Sequence, residues 1–325
     1  MAEILRIAKR ILSKMPARII IGIVRLLPDF ILSSIGPLTV IIEPTTLCNL
    51  RCPLCPRNKL TRETGNMHFE DFKKIIDTMP KITRLVDLYF MGEPLLAPDI
   101  FKMIRYARQS GLKVRISSNG TYLKKYTTEL LDSGLSELIV AIDGASAETY
   151  LKYRVGGNFN DLIDNLTFFM REKKRRNIRQ PEVIFQMVVF RHNEHEIDDV
   201  VRLAKKIEVD HLVLKKASLV RNDDHAVLEG FYLPLQKKYL RSTYKSKKIN
   251  HCMWAFNSAV TKDGKITSCC YDWDGVHARG NVFENGFKKT FASKAHTLLR
   301  KKIIGRNLDI CENCDYNLTA TERIF

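Results

Sequence analysis

The chain has 325 residues, enough for one large α/β unit with an appendage or for two domains, and its 45% hydrophobic, 27% charged composition is that of an ordinary globular protein. A miniprotein and a disordered tail are excluded, and with no repeat of about 20 to 50 residues visible, so is a solenoid. The 53 Lys and Arg against 36 Asp and Glu give a net charge of +17, which favours anionic company: nucleic acid, an acidic lipid surface, or a phosphorylated or carboxylated substrate.

Residues 1–36 stand apart. Ile4, Leu5, Ile7, Ala8, Ile11, Leu12 and Met15 recur at helical spacing beside Arg6, Lys9, Arg10 and Lys14, which predicts a basic amphipathic helix ended by Pro16. Such a helix packs under the following domain, the commoner fate of an apolar stripe, or makes peripheral contact with an anionic membrane. The apolar run 19–24 is too short for a signal peptide, and no uncharged stretch approaches the ~20 residues of a spanning helix, so a reducing, cytoplasmic setting is expected, with membrane association as the variant.

From 37 to 217, apolar strand-like runs at 38–42, 85–91, 112–116, 137–142, 182–190 and 211–214 alternate with amphipathic stretches at 69–79, 99–110, 123–133, 160–174 and 194–206. Alternation of this kind predicts a parallel sheet with helices outside it: a partial (β/α)6 TIM-like barrel, two units short of the usual eight. Chemistry in such sheets collects at the carboxyl ends of the strands, and the unusual residues of this chain sit there. The first strand leads into Glu43-Pro44-Thr45-Thr46-Leu47 and three cysteines, the second into Gly92-Glu93-Pro94, and the third into Ser118-Asn119-Gly120. The fourth ends in Asp143-Gly144, the fifth in Arg191-His192-Asn193 and the sixth in Lys215-Lys216. Basic runs at 171–179 and 237–248 read as solvated helix ends and loops, with nucleic-acid contact the minority reading. Residues 218–325 read as a linker followed by a small cysteine-rich domain.

All eight cysteines lie at the two ends of this frame. Cys48, Cys52 and Cys55 have the spacing C-x3-C-x2-C; three thiolates on one loop can hold three irons of a cubane and leave the fourth without a protein ligand. A structural zinc site completed by His68 is the competing reading, although zinc loops more often use paired C-x2-C units.

With these residues the sequence resembles the radical S-adenosylmethionine (SAM) superfamily, whose signature is this three-cysteine spacing after the first strand of a partial barrel. Gly92-Glu93-Pro94 is similar to the family's GGEP segment, with Met91 in place of the first glycine, and implies that Glu93 and nearby backbone, Gly92 included, hold the SAM ammonium group. Ser118 and Asn119 match the segment near the SAM ribose and carboxylate. Asp143-Gly144, Tyr150, Arg154 and Gly156-Gly157-Asn158-Phe159 resemble the SPASM subgroup and imply that Arg154 approaches the SAM carboxylate. Leu54, before the last cysteine, stands where an aromatic residue often contacts adenine and offers only apolar packing. The resemblance implies that SAM binds the open iron and that one electron splits it into methionine and a 5′-deoxyadenosyl radical, which takes a hydrogen atom from the substrate.

Cys252, Gly264 and Cys269, then Cys311-Glu312-Asn313-Cys314, resemble a shortened SPASM, or Twitch, tail. This implies that Cys252, Cys269, Cys311 and Cys314 saturate one auxiliary 4Fe-4S cluster, making two clusters in all. A four-cysteine zinc ribbon is the alternative when this half is considered alone. Cys270 is left over: it could exchange roles with Cys269, donate a hydrogen atom, or be a buried small hydrophobe, the commonest fate of a free cysteine.

The expected reaction is oxidation of a small polar or saccharide-like substrate with the auxiliary cluster as electron acceptor, or epimerisation if Cys270 returns a hydrogen atom. Arg191, Lys215, Lys216 and Arg221 could pair with a phosphate or carboxylate on that substrate. A reductant of the flavodoxin or ferredoxin type would supply the electron. Peptide maturation is the alternative within the superfamily. A basic, metal-containing nucleic-acid-binding protein without catalysis is the alternative outside it.

Overall fold

The computed structural model describes residues 36–218, 231–240, 252–312, 314 and 321–325. The amphipathic segment 1–35, Arg221 and most of the expected linker lie outside the described residues.

Six strands run parallel in chain order: β1 (Thr39–Ile42), β2 (Leu85–Asp87), β3 (Lys113–Ser118), β4 (Glu137–Ala141), β5 (Glu182–Val189) and β6 (His211–Lys216). Between them run α1 (Phe69–Asp77), α2 (Ile100–Gln109), α3 (Thr127–Asp132), α4 (Ala147–Tyr153), α5 (Phe159–Arg175) and α6 (Ile197–Ile207). α4 is the one helix of this part that the periodicity did not predict; it is too short to show a period, and Ser146 starts it by accepting a hydrogen bond from the Thr149 amide at 3.2 Å.

The strands alternate in burial, although parallel strands covered on both faces read as continuous apolar runs. On β5, Val183, Phe185, Met187 and Val189 are fully buried, whereas Ile184, Gln186 and Val188 are half-buried. The first set packs under the helices with Val86, Val114, Ile116, Leu138, Val140 and Leu212. The second set faces inward, where the sheet carries polar chemistry. Strand register brings Asp87, Arg115 and Glu137 side by side there, and Arg115 donates to Asp87 at 2.8 and 2.9 Å and to Glu137 at 3.2 Å.

The basic run 171–179 is absorbed by the end of α5. Asn158 caps the start of that helix with hydrogen bonds from Asn160 and Asp161, and the cations fall in its last turn, where the helix dipole favours them. Each then meets a carboxylate: Lys173 pairs with Asp210 at 2.5 Å, Lys174 with Glu208 at 2.7 Å, Arg175 with Glu172 at 2.8 Å, and Arg176 with Asp132.

The C-terminal part extends the same sheet at both edges. β7 (Ser258–Val260) lies parallel to β1, and β8 (Ile266–Thr267) returns antiparallel to β7. Helices α7 (Val282–Asn285), α8 (Phe287–Phe291) and α9 (Lys294–Ile304) follow. The final strand, β9 (Thr321–Arg323), pairs antiparallel with β6. The described sheet therefore has nine strands in the order β8-β7-β1-β2-β3-β4-β5-β6-β9.

Candidate functional site

The loop after β1 carries Cys48, Cys52 and Cys55, and hydrogen bonds from three sides shape it. Cys52 accepts the Cys55 amide on its carbonyl at 3.0 Å, and the Arg51 amide donates to the Val155 carbonyl at 2.9 Å. The Leu50 amide approaches the Cys48 sulfur at 3.4 Å, the Asn119 Nδ2 the same sulfur at 3.9 Å, and the Arg154 Nη1 the Cys52 sulfur at 3.8 Å. N–H donors and a guanidinium thus surround sulfurs that would carry charge as thiolates. The three thiols lie within electrostatic reach of one another, and burial pushes all of them up, Cys52 to about 11. A buried thiol is a weak acid by itself; a metal that takes the thiolate drives off the proton.

Two motifs hold this loop to its neighbours. Gly92 lies so close to it that a Cβ would stand 2.3 Å from the Thr45 oxygen and 2.8 Å from the Leu47 oxygen, and the Glu93 amide donates to that Leu47 carbonyl at 2.8 Å. Glu93 is buried, and its two oxygens accept from the Leu95 amide at 3.2 Å and the Asn119 amide at 2.7 Å, with Ser118 as a further donor. Burial raises its carboxyl while those donors lower it. The Glu93 carboxylate is therefore a brace between the ends of β2 and β3. These three donors leave acceptor capacity on the carboxylate, which has about four lone-pair sites. Ser118 is likewise turned inward, taking the Gly120 amide at 3.0 Å, whereas the Asn119 side chain donates to Asn49 on the cysteine loop at 2.8 Å. Gly92→Ala should force this brace apart and lower SAM cleavage on the order of a hundredfold, as a shift of about 1 Å at a reacting group can do. Activity and iron content of the purified variant would measure the loss, and parent values for both would contradict the tight approach.

Arg154 leaves α4 with its Nε donating to Asp143 at 2.5 Å, and Asp143 in turn accepts the Val188 amide at 2.7 Å. The pair joins the ends of β4 and β5 to the Cys52 sulfur. Leu54 packs with Tyr153, Phe190, Ala217 and Tyr232. Phe190 lies 4.5 Å from the Tyr153 ring and 5.6 Å from that of Tyr232, and His192 stacks on it. Sequence reading singled out Leu54 as an apolar contact without an aromatic ring; the rings arrive from α4, β5 and the segment 231–240. That segment is tied down by the buried Glu194, which accepts the Leu235 and Gln236 amides at 3.0 and 3.1 Å.

The second cysteine set converges from separate places: Cys252 before a short 3-10 turn, Cys269 after β8, and Cys311 and Cys314 beyond α9. Cys252 lies within electrostatic reach of Cys311 and Cys314, and Cys269 within reach of Cys252 and Cys314. Burial raises Cys252 to about 11 and Cys269 further. Cys252, Cys269 and Cys311 form a core with Trp254, Ala255, Leu299 and Ile303, against which Ile41 of β1, Phe90 and the half-buried Cys270 pack. None of the eight cysteines forms a disulfide. Among the described residues no three His, Cys, Asp or Glu side chains converge on a single ion-sized point. A cubane does not ask for that, because each thiolate takes its own iron.

A polar clamp that the sequence did not reveal connects the two cysteine regions. Arg62, seven residues after Cys55, buries its side chain and donates to Glu43 at the end of β1 at 2.6 Å and to the Trp273 carbonyl at 2.8 Å. Glu43 also accepts the Lys262 amide at 2.9 Å, and Asp274 accepts the Thr61 and Arg62 amides at 3.0 and 3.4 Å. Arg62 Nη1 is buried without a hydrogen-bond partner. Charged residues on either side of the cysteine loop were the only available signal; Arg62 pairs with Glu43, 19 positions away, and their contacts with Trp273 and Lys262 span 211 and 219 positions, beyond what spacing can pair.

The radical SAM superfamily model matches residues 42–204, and the iron-sulfur cluster-binding SPASM domain model matches residues 252–315. Among curated proteins, the chain is 32% identical over 178 residues to an AdoMet-dependent heme synthase of Methanosarcina barkeri, a stretch covering 53% of this chain and 48% of that protein. It is 27% identical over 179 residues to a PqqA peptide cyclase of Rhodopseudomonas palustris, covering 54% of this chain and 46% of the relative. These matches span about half the length of the relatives. Among solved structures, BtrN in complex with AdoMet and 2-DOIA superposes with a TM-score of 0.56 at 19% identity, covering 87% of this chain and 94% of that one. Streptococcus suis SuiB bound to S-adenosylmethionine gives 0.64 at 15% identity, covering 82% and 68%. The residues present fit the cofactors of this family, SAM and 4Fe-4S clusters: two groups of mutually close thiols, one of three and one of four, and a glycine whose missing Cβ lets the second strand close on the cysteine loop. The chain belongs to the radical SAM superfamily and carries a SPASM iron-sulfur domain after its barrel.

Proposed function

We propose that this enzyme removes a hydrogen atom from a small polar, saccharide-like substrate and completes a two-electron oxidation by passing the second electron to the auxiliary cluster. Bound SAM and its cluster supply the 5′-deoxyadenosyl radical; the chain supplies position and shelter. In this reading Cys48, Cys52 and Cys55 hold the SAM cluster, and Cys252, Cys269, Cys311 and Cys314 the auxiliary one. Backbone around Gly92 and the Asn119 and Arg154 side chains orient the methionine end, while Leu54 and its aromatic neighbours wall off the adenine from water. A small reductant of the flavodoxin or ferredoxin type delivers the first electron.

The observation that carries the proposal is the Arg62 clamp: one guanidinium reaches both the end of β1, where the first cysteine loop begins, and the carbonyl four residues past Cys269. A carbon held along that seam has a radical source on one side and an electron acceptor on the other. The unpartnered Arg62 Nη1 offers a donor to a hydroxyl or an anionic group there. Near-complete coverage of BtrN, whose structure contains 2-DOIA, supports a small substrate. Peptide maturation is the second reading, favoured by a TM-score of 0.63 to SuiB bound to precursor peptide SuiA, of which this chain covers 71%. Membrane attachment stays with the undescribed residues 1–35; none of the described helices is long and apolar enough to cross a bilayer.

The test is product analysis with dithionite-reduced enzyme, SAM and a panel of deuterated polyols, amino sugars and short peptides. Oxidation predicts deuterium in 5′-deoxyadenosine, one SAM consumed per product, and loss of product but not of SAM cleavage in Cys314→Ala. Solvent hydrogen in recovered substrate that disappears in Cys270→Ala would establish epimerisation instead, and turnover of peptides alone would establish maturation.

A further inference from the structure

Helix α9 ends in a Schellman turn: the Asn307 amide donates to the Lys302 carbonyl at 2.8 Å and the Arg306 amide to that of Ile303 at 3.0 Å. In this turn Arg306 takes the left-handed position, with φ of 55°, that glycine occupies at no steric penalty. Only Asn177 and Glu208 share this backbone region among the described non-glycine residues. A side chain kept where its own backbone is strained points to a task for that side chain. Here the task is visible, since Arg306 Nη2 donates to the Cys311 carbonyl at 3.0 Å and to the Cys314 carbonyl at 2.9 Å. The guanidinium thus closes the C-x2-C loop from within. Within α9 the fully buried Arg300 donates to the Ala255 carbonyl at 3.0 Å, so this helix and its terminal turn hold the Cys252 and Cys311–Cys314 segments through arginines.

We propose that Arg306 is the positioning residue that raises the reduction potential of the auxiliary cluster. Four thiolates and an added electron concentrate negative charge, and net charge and hydrogen bonding around a cluster set its potential. A fixed cation bonded to the carbonyls of two of the four cysteines would stabilise the reduced state over the oxidised one, making the cluster a better acceptor for an electron leaving the substrate. The inference rests on the four-thiolate assignment above. It goes beyond that assignment by naming the residue that tunes the site and the direction of the tuning.

The experiment uses the full chain with Cys48→Ala, Cys52→Ala and Cys55→Ala, so that only the auxiliary cluster can form. Anaerobic reconstitution is followed by iron analysis and an EPR-monitored redox titration. Into this parent go Arg306→Gly, which removes the charge while relieving the backbone, and Arg306→Lys, which keeps the charge. The expected result is a midpoint potential shifted downward in Arg306→Gly and close to the parent value in Arg306→Lys. A parent potential in Arg306→Gly overturns the inference, as does an equal downward shift in both variants, which would assign the effect to loop geometry. Should Arg306→Gly fail to hold iron, Arg306→Lys decides: the parent potential supports the charge, and a displaced one overturns it. A parent chain that binds no iron, with all four remaining ligands intact, would instead refute the four-thiolate assignment.

Discussion

Anaerobically purified Cys52→Ala protein should contain about four irons per chain where the parent contains about eight, and should form 5′-deoxyadenosine from SAM at no more than background rate. Cys52 is 7% exposed and sits beside both of its partner thiols and the Arg154 guanidinium, so its sulfur has no substitute within the loop. A three-cysteine loop already leaves one iron to SAM. In the proposed assignment a loop with two cysteines would not seat the cubane, and the electron source and the SAM site would be lost together. Cys314→Ala gives the needed contrast, since it should also fall to about four irons yet continue to cleave SAM. Equal cleavage by Cys52→Ala and parent would refute the assignment of the two sets.

Arg62→Met should destabilise the fold by about 3 to 5 kcal/mol, the usual consequence of leaving one member of a buried ion pair uncompensated. Glu43 and Arg62 side chains are 0% and 4% exposed, so water cannot replace the lost partner. Burial pushes the Glu43 carboxyl up while Arg62 pulls it down. Removing the guanidinium leaves the carboxylate with the Lys262 amide as a weaker compensation and takes the Arg62 hydrogen bond from the Trp273 carbonyl. Denaturant unfolding of Arg62→Met, Glu43→Gln and the double variant measures this as a thermodynamic cycle. The double variant should be less destabilised than the sum of the singles by more than about 1 kcal/mol; strict additivity would mean that the pair does not act as a unit. The same variants should loosen the join between the two cysteine regions, so their iron content should fall as well.

Much of the barrel could be read from periodicity. The six parallel strands fall within the predicted runs or overshoot them by one or two residues, because β-branched runs such as Val183 to Val189 alternate apolar and less apolar positions over enough residues to show a period. The second run, 85 to 91, is longer than the strand: only Leu85–Asp87 is β2, Leu88 stays in the main core, and Phe90 packs against the auxiliary one. Strands β7, β8 and β9 have two or three residues each, too short for any pattern, and their place in the sheet depends on partners far along the chain. The cysteine sets were legible because metal chemistry demands a residue type at a spacing. Glu93, Ser118 and Arg154 were legible as candidates from their place at the strand ends, but their partners within the protein were not: the carboxylate braces two strands, and the guanidinium pairs with Asp143.

By itself the amino-acid order determined which cysteines are candidate iron ligands and that the frame holding them is a parallel α/β sheet, since ligand type and hydrophobic period are local properties of the chain. The three-dimensional arrangement decided what lies around those atoms: that Arg62 bonds both Glu43 and the Trp273 carbonyl, and that Arg306 faces the carbonyls of Cys311 and Cys314. Such contacts arise from packing and closure between segments distant in sequence, where hydrogen-bond geometry and exclusion of water select the partner and no spacing rule records the choice.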